Sequence, residues 1–187
     1  MGLTAKLVKL NGMNQRPPLL RPSLLLVIAL TLSTLACTNP PQGQVVGISD
    51  GDTLKVLIDG KEMKVRLAEI DAPEKTQAFG ERAKQSLSEL AFAKQARVVE
   101  QDIDRYGRTV GKIYVDNLDV NAEQVRRGMA WVYPQYAKDP NLYRIEREAR
   151  EAKVGLWVDA NPIPPWQYRK SKRPKSRAKQ PAPLTIP

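Results

Sequence analysis

Residues 49–74 read SDGDTLKVLIDGKEMKVRLAEIDAPE. Thr53–Ile58 places Leu54, Val56 and Ile58 at every second position, the pattern of a half-buried strand. Met63–Leu67 alternates again, and Asp59-Gly60 between the two runs is a strong two-residue hairpin signal. Working outward, Val45–Ile48 predicts a strand before the hairpin, and Arg97–Glu100 and Thr109–Val115 predict two after it. Ala78–Gln95 spaces Phe79, Ala83, Leu87, Leu90 and Ala91 as one helical face. Val120–Arg127 reads as a short helix ended by Gly128, and Asn141–Lys153 as an amphipathic helix ended near Gly155. Met129–Tyr133 reads as a short extended piece. About five strands with about three helices between and after them predict an α+β domain, a five-stranded Greek-key barrel of the OB type.

The ends of the chain differ from this middle. Of 30 Lys and Arg side chains, four lie in residues 1–37 and seven in residues 169–187, and neither stretch holds an acid. That leaves 19 basic against 20 acidic side chains between them, so the sequence pI of about 9.8 reports on the ends. Leu24–Ala36 is a short apolar run preceded by Arg16 and Arg21, which predicts a secretory signal over 1–37. Cys37 follows Ala36 as in a bacterial lipoprotein box, so the expectation includes a lipid anchor at Cys37; ordinary cleavage nearby is the alternative. Residues 38–43 suit a linker, 44–168 form the folded domain, and the basic, Pro-rich stretch 169–187 is expected to be a disordered tail. The expected location is outside the cytoplasm, at the cell envelope or secreted.

The chain has no histidine and one cysteine. Ser-His and Cys-His nucleophile arrangements are thereby excluded, as are the commonest zinc sites. Acid–base work falls to carboxylates, Lys, Tyr or metal-held water. The hairpin brings Asp52, at the start of one strand, beside Arg66 at the end of the next, with Asp71 and Glu74 just beyond. Carboxylates with a backbone carbonyl form a hard-oxygen site that suits Ca²⁺ better than zinc. A further carboxylate can take a proton from water, and an arginine fork matches a phosphate. Taken singly, Asp-Gly-Asp and Asp-x-Pro-Glu are ordinary turns.

Four motifs in order carry more: Asp50-Gly51-Asp52-Thr53, Arg66 placed 14 residues after Asp52, Asp71-Ala72-Pro73-Glu74, and Asp104-Arg105-Tyr106-Gly107-Arg108. Together they resemble the staphylococcal nuclease family over about residues 44–168, including Gly155-Leu156-Trp157 and the Pro165-Trp166 region. The resemblance implies that Asp52, Asp71 and the backbone carbonyl of Ala72 hold calcium. It implies that Glu74 is the general base and that Arg66 and Arg108 hold the scissile phosphate. Tyr106, Arg105 and Tyr133 are implied at the nucleotide site. Ala72 stands where the family often has Thr, and the segment after Glu74 is shorter than in the best-known member.

The function so implied is calcium-dependent hydrolysis of DNA, RNA or both to 3′-phosphate products, by a monomer. The rival expectations are an OB module that binds nucleic acid at the cell envelope without catalysis, and an envelope lipoprotein with a protein partner. Trp131, Trp157 and Trp166 are expected to pack. Arg144, Arg147 and Arg150, interleaved with Glu146, Glu148 and Glu151, are expected to form a solvated ion-pair face.

Overall fold

The computed structural model describes residues 39–173. The signal stretch and Cys37 lie outside the described residues.

Eight strands form: β1 (Gln42–Ile48), β2 (Thr53–Ile58), β3 (Lys61–Leu67), β4 (Ile70–Asp71), β5 (Gln95–Ile103), β6 (Thr109–Val115), β7 (Leu118–Asp119) and β8 (Trp131–Val132). The helices are α1 (Gly80–Ala91), α2 (Val120–Arg126), α3 (Pro140–Glu151) and α4 (Pro165–Lys172), with a 3-10 turn at Gly155–Val158. The main sheet runs β3-β2-β1-β5-β6-β7, and a parallel pairing of β3 with β6 closes five of its strands into a barrel. The expected five-stranded OB barrel is present. Closure removes the free edges that β3 and β6 would otherwise present.

The β2–β3 hairpin turns at Asp59-Gly60, both with positive φ, and pairs Thr53 with Arg66. Alternation along β2 and β3 sends Leu54, Val56, Val65 and Leu67 into the core, where they meet Leu87 of α1 and Ile113 of β6. Buried polar groups lock the seam. Asn121 of α2 donates from Nδ2 to the carbonyls of Ala68 and Gly111, and its Oδ1 accepts from the Ile113 N–H. Gln124, also buried, donates to the carbonyls of Gly51 (2.7 Å) and Ala83 (3.1 Å) and accepts from the Ser86 hydroxyl. A substituent on Gly51 would stand 2.6 Å from the Ala83 Cβ and 2.7 Å from the Ala72 Cβ, so the Asp-Gly-Asp turn needs glycine to lie against α1.

Several boundaries differ from the sequence expectations. The linker ends early: Gln42 and Gly43 already belong to β1 and pair with Arg97 and Ala96 of β5. Polar Gln-Gly-Gln hid that strand. The first helix stops at Ala91, because Phe92 is extended and Ala93 has a positive φ, and β5 extends to Gln95 and Ile103. There are four α-helices among the described residues rather than about three. The additional one, α4, starts with Pro165 in its first turn, a position where a missing N–H costs nothing. It continues through Lys172, so Arg169–Lys172 belong to a helix and not to a tail; residues 174–187 of the expected tail lie outside the described residues. Among the described residues, no helix is long and apolar enough to cross a membrane.

A second apolar cluster sits under α3 and α4. Trp131 and Trp157 are buried with Ala149 and Leu156, and Trp131 meets Trp157 edge-on at 4.4 Å and Trp166 at 5.9 Å. The tryptophans pack, as expected. On α3, Arg144 pairs with Glu148 and Arg150 with Glu146.

Candidate active site

The site grows from three chain segments that the barrel brings to one rim. Asp52 precedes β2, and its carbonyl accepts from the Leu67 N–H at 2.8 Å, which ties it to the end of β3. Beyond β3, the chain turns at Ala68-Glu69, with Glu69 at positive φ, into β4, which pairs with β8 through Ile70–Val132 and Asp71–Trp131. Asp71 is thereby fixed next to Arg66. Glu74 follows Pro73. Its carbonyl accepts from the Gln77 N–H, and Gly80 packs so tightly on that carbonyl that a Cβ there would collide at 2.0 Å.

The side chains converge. Asp52 Oδ2 accepts from the Ala72 N–H at 2.7 Å and lies 2.6 Å from Arg66 Nη1. Arg66 Nη2 donates to Asp71 Oδ1 at 2.9 Å. Arg66 Nη1 is buried against Asp52 as an ion pair and makes no well-aligned hydrogen bond. The second guanidinium comes from α4. Arg169 donates to both Asp71 oxygens, at 3.1 and 2.8 Å, and to Glu74 Oε1 at 2.8 Å. Asp52, Arg66, Asp71 and Glu74 are thus one connected network, with Arg169 as the bridge to Glu74.

Electrostatics at this rim favour added positive charge. Asp71 is 1% exposed, and burial pushes its carboxyl above the usual carboxylate range; the Arg169 and Arg66 guanidinium groups pull the other way but do not cancel that effect. Burial, then the neighbouring Asp52 charge, raise Asp50 to about 6. Every nearby acidic donor is a carboxylate oxygen, and neither histidine nor a second cysteine exists to offer a softer ligand. That donor chemistry fits a hard divalent cation. Among the described residues, no three acidic, His or Cys side chains gather about a common point for such an ion. Arg66 and Arg169 hydrogen-bond to the Asp71 oxygens, and Arg169 to Glu74.

Arg108 is not drawn into this network. Asp104 holds it: Nε donates to Asp104 Oδ2 at 2.7 Å, and Nη2 stands 2.6 Å from the same oxygen. The loop Asp104–Arg108 closes on itself, with the Tyr106 and Arg108 N–H groups both donating to Asp104 Oδ1 and Gly107 at positive φ. Tyr106 is exposed, with the Arg105 and Arg108 guanidinium groups over its ring at 5.2 and 5.7 Å. The loop still lies beside the site's strand, because Thr109 and Val110 pair with Val65 and Arg66. Tyr133 stacks on Trp166 of α4 with centroids 5.3 Å apart and planes 4° from parallel, and meets Tyr136 edge-on.

Of the acids, Asp52 and Asp71 are buried and Glu74 is partly exposed. A shallow hollow of about 500 Å³ runs along α1 between Ile48, Arg82, Gln85 and Phe92, away from these acids. Three residues escaped the sequence reading. Arg169 was assigned to the tail by its basic neighbours. Gln124 and Asn121 left a faint signal: uncharged polar residues between the apolar positions of a short helix.

A family model described as staphylococcal nuclease homologue matches residues 64–159. The chain is 45% identical over 157 residues to Protein ParB of Escherichia coli, spanning 76% of this chain and 89% of that protein. It is 46% identical over 151 residues to an uncharacterized endonuclease of Haemophilus influenzae, spanning 80% and 84%. It is 44% identical over 143 residues to the micrococcal nuclease of Shigella flexneri, spanning 71% and 82%.

Proposed function

The chain belongs to the staphylococcal nuclease family, and from that membership we propose that its acidic rim is the active site of a calcium-dependent phosphodiesterase. The substrate is DNA, RNA or both, and the products carry 3′-phosphates. One observation carries the reading: Asp52, Arg66, Asp71 and Glu74 form one network of ion pairs and hydrogen bonds at the barrel rim, with Arg169 as the link to Glu74.

Asp52 and Asp71, with the carbonyl of Ala72, would hold the ion. When bound, calcium supplies charge neutralisation at the phosphate and orders water beside it. Glu74, with a side chain 40% exposed, reaches solvent and takes the proton from the attacking water. Arg66, braced by two carboxylates, supplies positive charge beside the phosphoryl oxygens, where charge grows as the water adds. Arg108, braced by Asp104, serves the same phosphate, and Tyr106, Arg105 and Tyr133 offer surfaces for the nucleotide. The apolar run before Cys37 supports work outside the cytoplasm, with Cys37 as a lipid anchor, and the enzyme acts as a monomer.

The test uses the purified protein on single-stranded DNA and on RNA, with calcium and then with chelator. Cleavage is expected with calcium alone, and Glu74→Gln is expected to slow it about 10²- to 10⁴-fold with the melting temperature unchanged. Retarded but intact nucleic acid under every condition would replace this reading with that of a non-catalytic binding module.

A further inference from the structure

Arg169 has no part in the reading above, yet it makes more hydrogen bonds to the proposed catalytic acids than Arg66 does. It donates twice to Asp71 and once to Glu74. We propose that Arg169 is the site's resident counter-ion: it holds these two acids in the metal-free protein, and a divalent cation gains Asp71 only by displacing it. The inference rests on the calcium reading and adds to it the competitor that the ion must evict.

Two guanidinium groups share Asp71, and they are differently held. Arg66 lies within β3, paired on both sides by β2 and β6, and its side chain is 15% exposed. Arg169 is 37% exposed and sits in the last turn of α4. That helix buries little besides Pro165. Its remaining ties are the Tyr168 hydroxyl, which bonds the Thr76 carbonyl at 3.0 Å and the Thr76 hydroxyl at 3.1 Å, Gln77, which donates to the Ile163 carbonyl just ahead of the helix, and Trp166, which lies on Tyr133 and meets Trp131 edge-on. The lightly held arginine is the one that can leave.

Leaving is required on charge grounds. Both oxygens of Asp71 are taken by Arg169, so an ion coordinated there meets a like charge within ion-pair distance. Glu74 is held by the same side chain, with Oε1 accepting from Arg169 Nη1 at 2.8 Å. Withdrawal of Arg169 therefore frees a ligand and a base together. If α4 moves as a unit, the face of Tyr133 now covered by Trp166 opens too, which couples metal entry to nucleotide entry.

Calcium titration by calorimetry on the full-length protein tests this, with Arg169→Gln, Arg169→Lys and Tyr168→Phe. Arg169→Gln is expected to bind calcium about tenfold more tightly, and Arg169→Lys to stay near wild type because it keeps the charge. Tyr168→Phe loosens α4 without touching an acid and is expected to tighten binding by a smaller factor. Without metal, Arg169→Gln is expected to melt below wild type, and saturating calcium to bring the two together. Unchanged or weaker calcium binding by Arg169→Gln would overturn the displacement while leaving the calcium reading intact. No calcium binding by any of these proteins would overturn both. If Arg169→Gln lacks a cooperative melt, Tyr168→Phe decides alone, and unchanged binding there counts against the proposal.

Discussion

Two clusters of acids around cations, one containing Glu69 and the other Asp71, two residues further along the chain, are built differently. In one, Lys112 lies 3.6 Å from Glu69, 3.7 Å from Asp119 and 3.0 Å from Asp139. Each of those acids also accepts from backbone: Glu69 from the Lys138 and Asp139 N–H groups, Asp119 from Ala122, and Asp139 from Asn141. In the other, Asp71 and Glu74 accept from arginine side chains alone, and Asp52 has a single backbone donor. The pKa directions follow. Lys112 and the Asn141 N–H hold Asp139 below the usual carboxylate value, whereas burial leaves Asp71 above it. Backbone donors are fixed by the fold and cannot be exchanged. Side-chain donors can swing away, so acids that depend on them are open to a new partner. The first cluster fastens the chain, and the second is poised to bind.

The largest effect that sharpens this contrast is expected at Arg66. Arg66→Met leaves Asp52 and Asp71 without their shared guanidinium, and the metal-free protein should lose about 3 to 5 kcal/mol of stability. Calcium should restore much of that loss, while cleavage stays at least about a hundredfold slower. Chemical denaturation with and without calcium reads the first effect and a nuclease assay the second. If calcium restores nothing, the second cluster is as structural as the first.

A smaller effect is expected at Lys112. Lys112→Met should cost about 1 to 2 kcal/mol and leave both cleavage and the response to calcium unchanged. Its pH dependence has a definite sign. Asp139 lies below its ordinary value of 3.8, so its contribution is present above that pH and is lost as pH falls through the folded-state value. Lys112 lies above its ordinary 10.5, so its contribution is present below that pH and is lost as pH rises through the folded-state value. The stability gap between wild type and variant should be flat across neutral pH and narrow at both extremes. A gap that widened in acid would contradict the assignment.

The smallest effect is expected at Asp104, which follows the backbone-held pattern yet grips a residue proposed for catalysis. Asp104→Ala removes the acceptor of two N–H groups and should cost about 1 kcal/mol. Cleavage should fall by up to about tenfold because Arg108 loses its brace. A faster variant would instead mean that Asp104 competes with the phosphate for Arg108.

The alternation of Thr53–Ile58, the Asp59-Gly60 turn and the glycine-ended helices were legible from the order of residues, because local steric and solvent periodicities set them without help from distant parts of the chain. The motif residues Asp52, Arg66, Asp71 and Glu74 were legible for a related reason: a hairpin fixes which of its residues are neighbours. Other features were hidden because they depend on contacts across more than 50 residues. Nothing near Gly51 announces that Gln124 will hold its carbonyl, and nothing in a Pro- and Lys-rich run announces that Arg169 will reach back to Asp71. Composition correctly reported that residues 169–173 are basic and poor in apolar side chains. It could not report that the folded rim carries more acid than Arg66 alone balances, which gives a nearby cation a reason to order. The chemistry of the site was written in residue types and spacing; which cation answers each carboxylate was decided only when the barrel closed and α4 came to rest beside it, because ion pairing depends on distance in space and not along the chain.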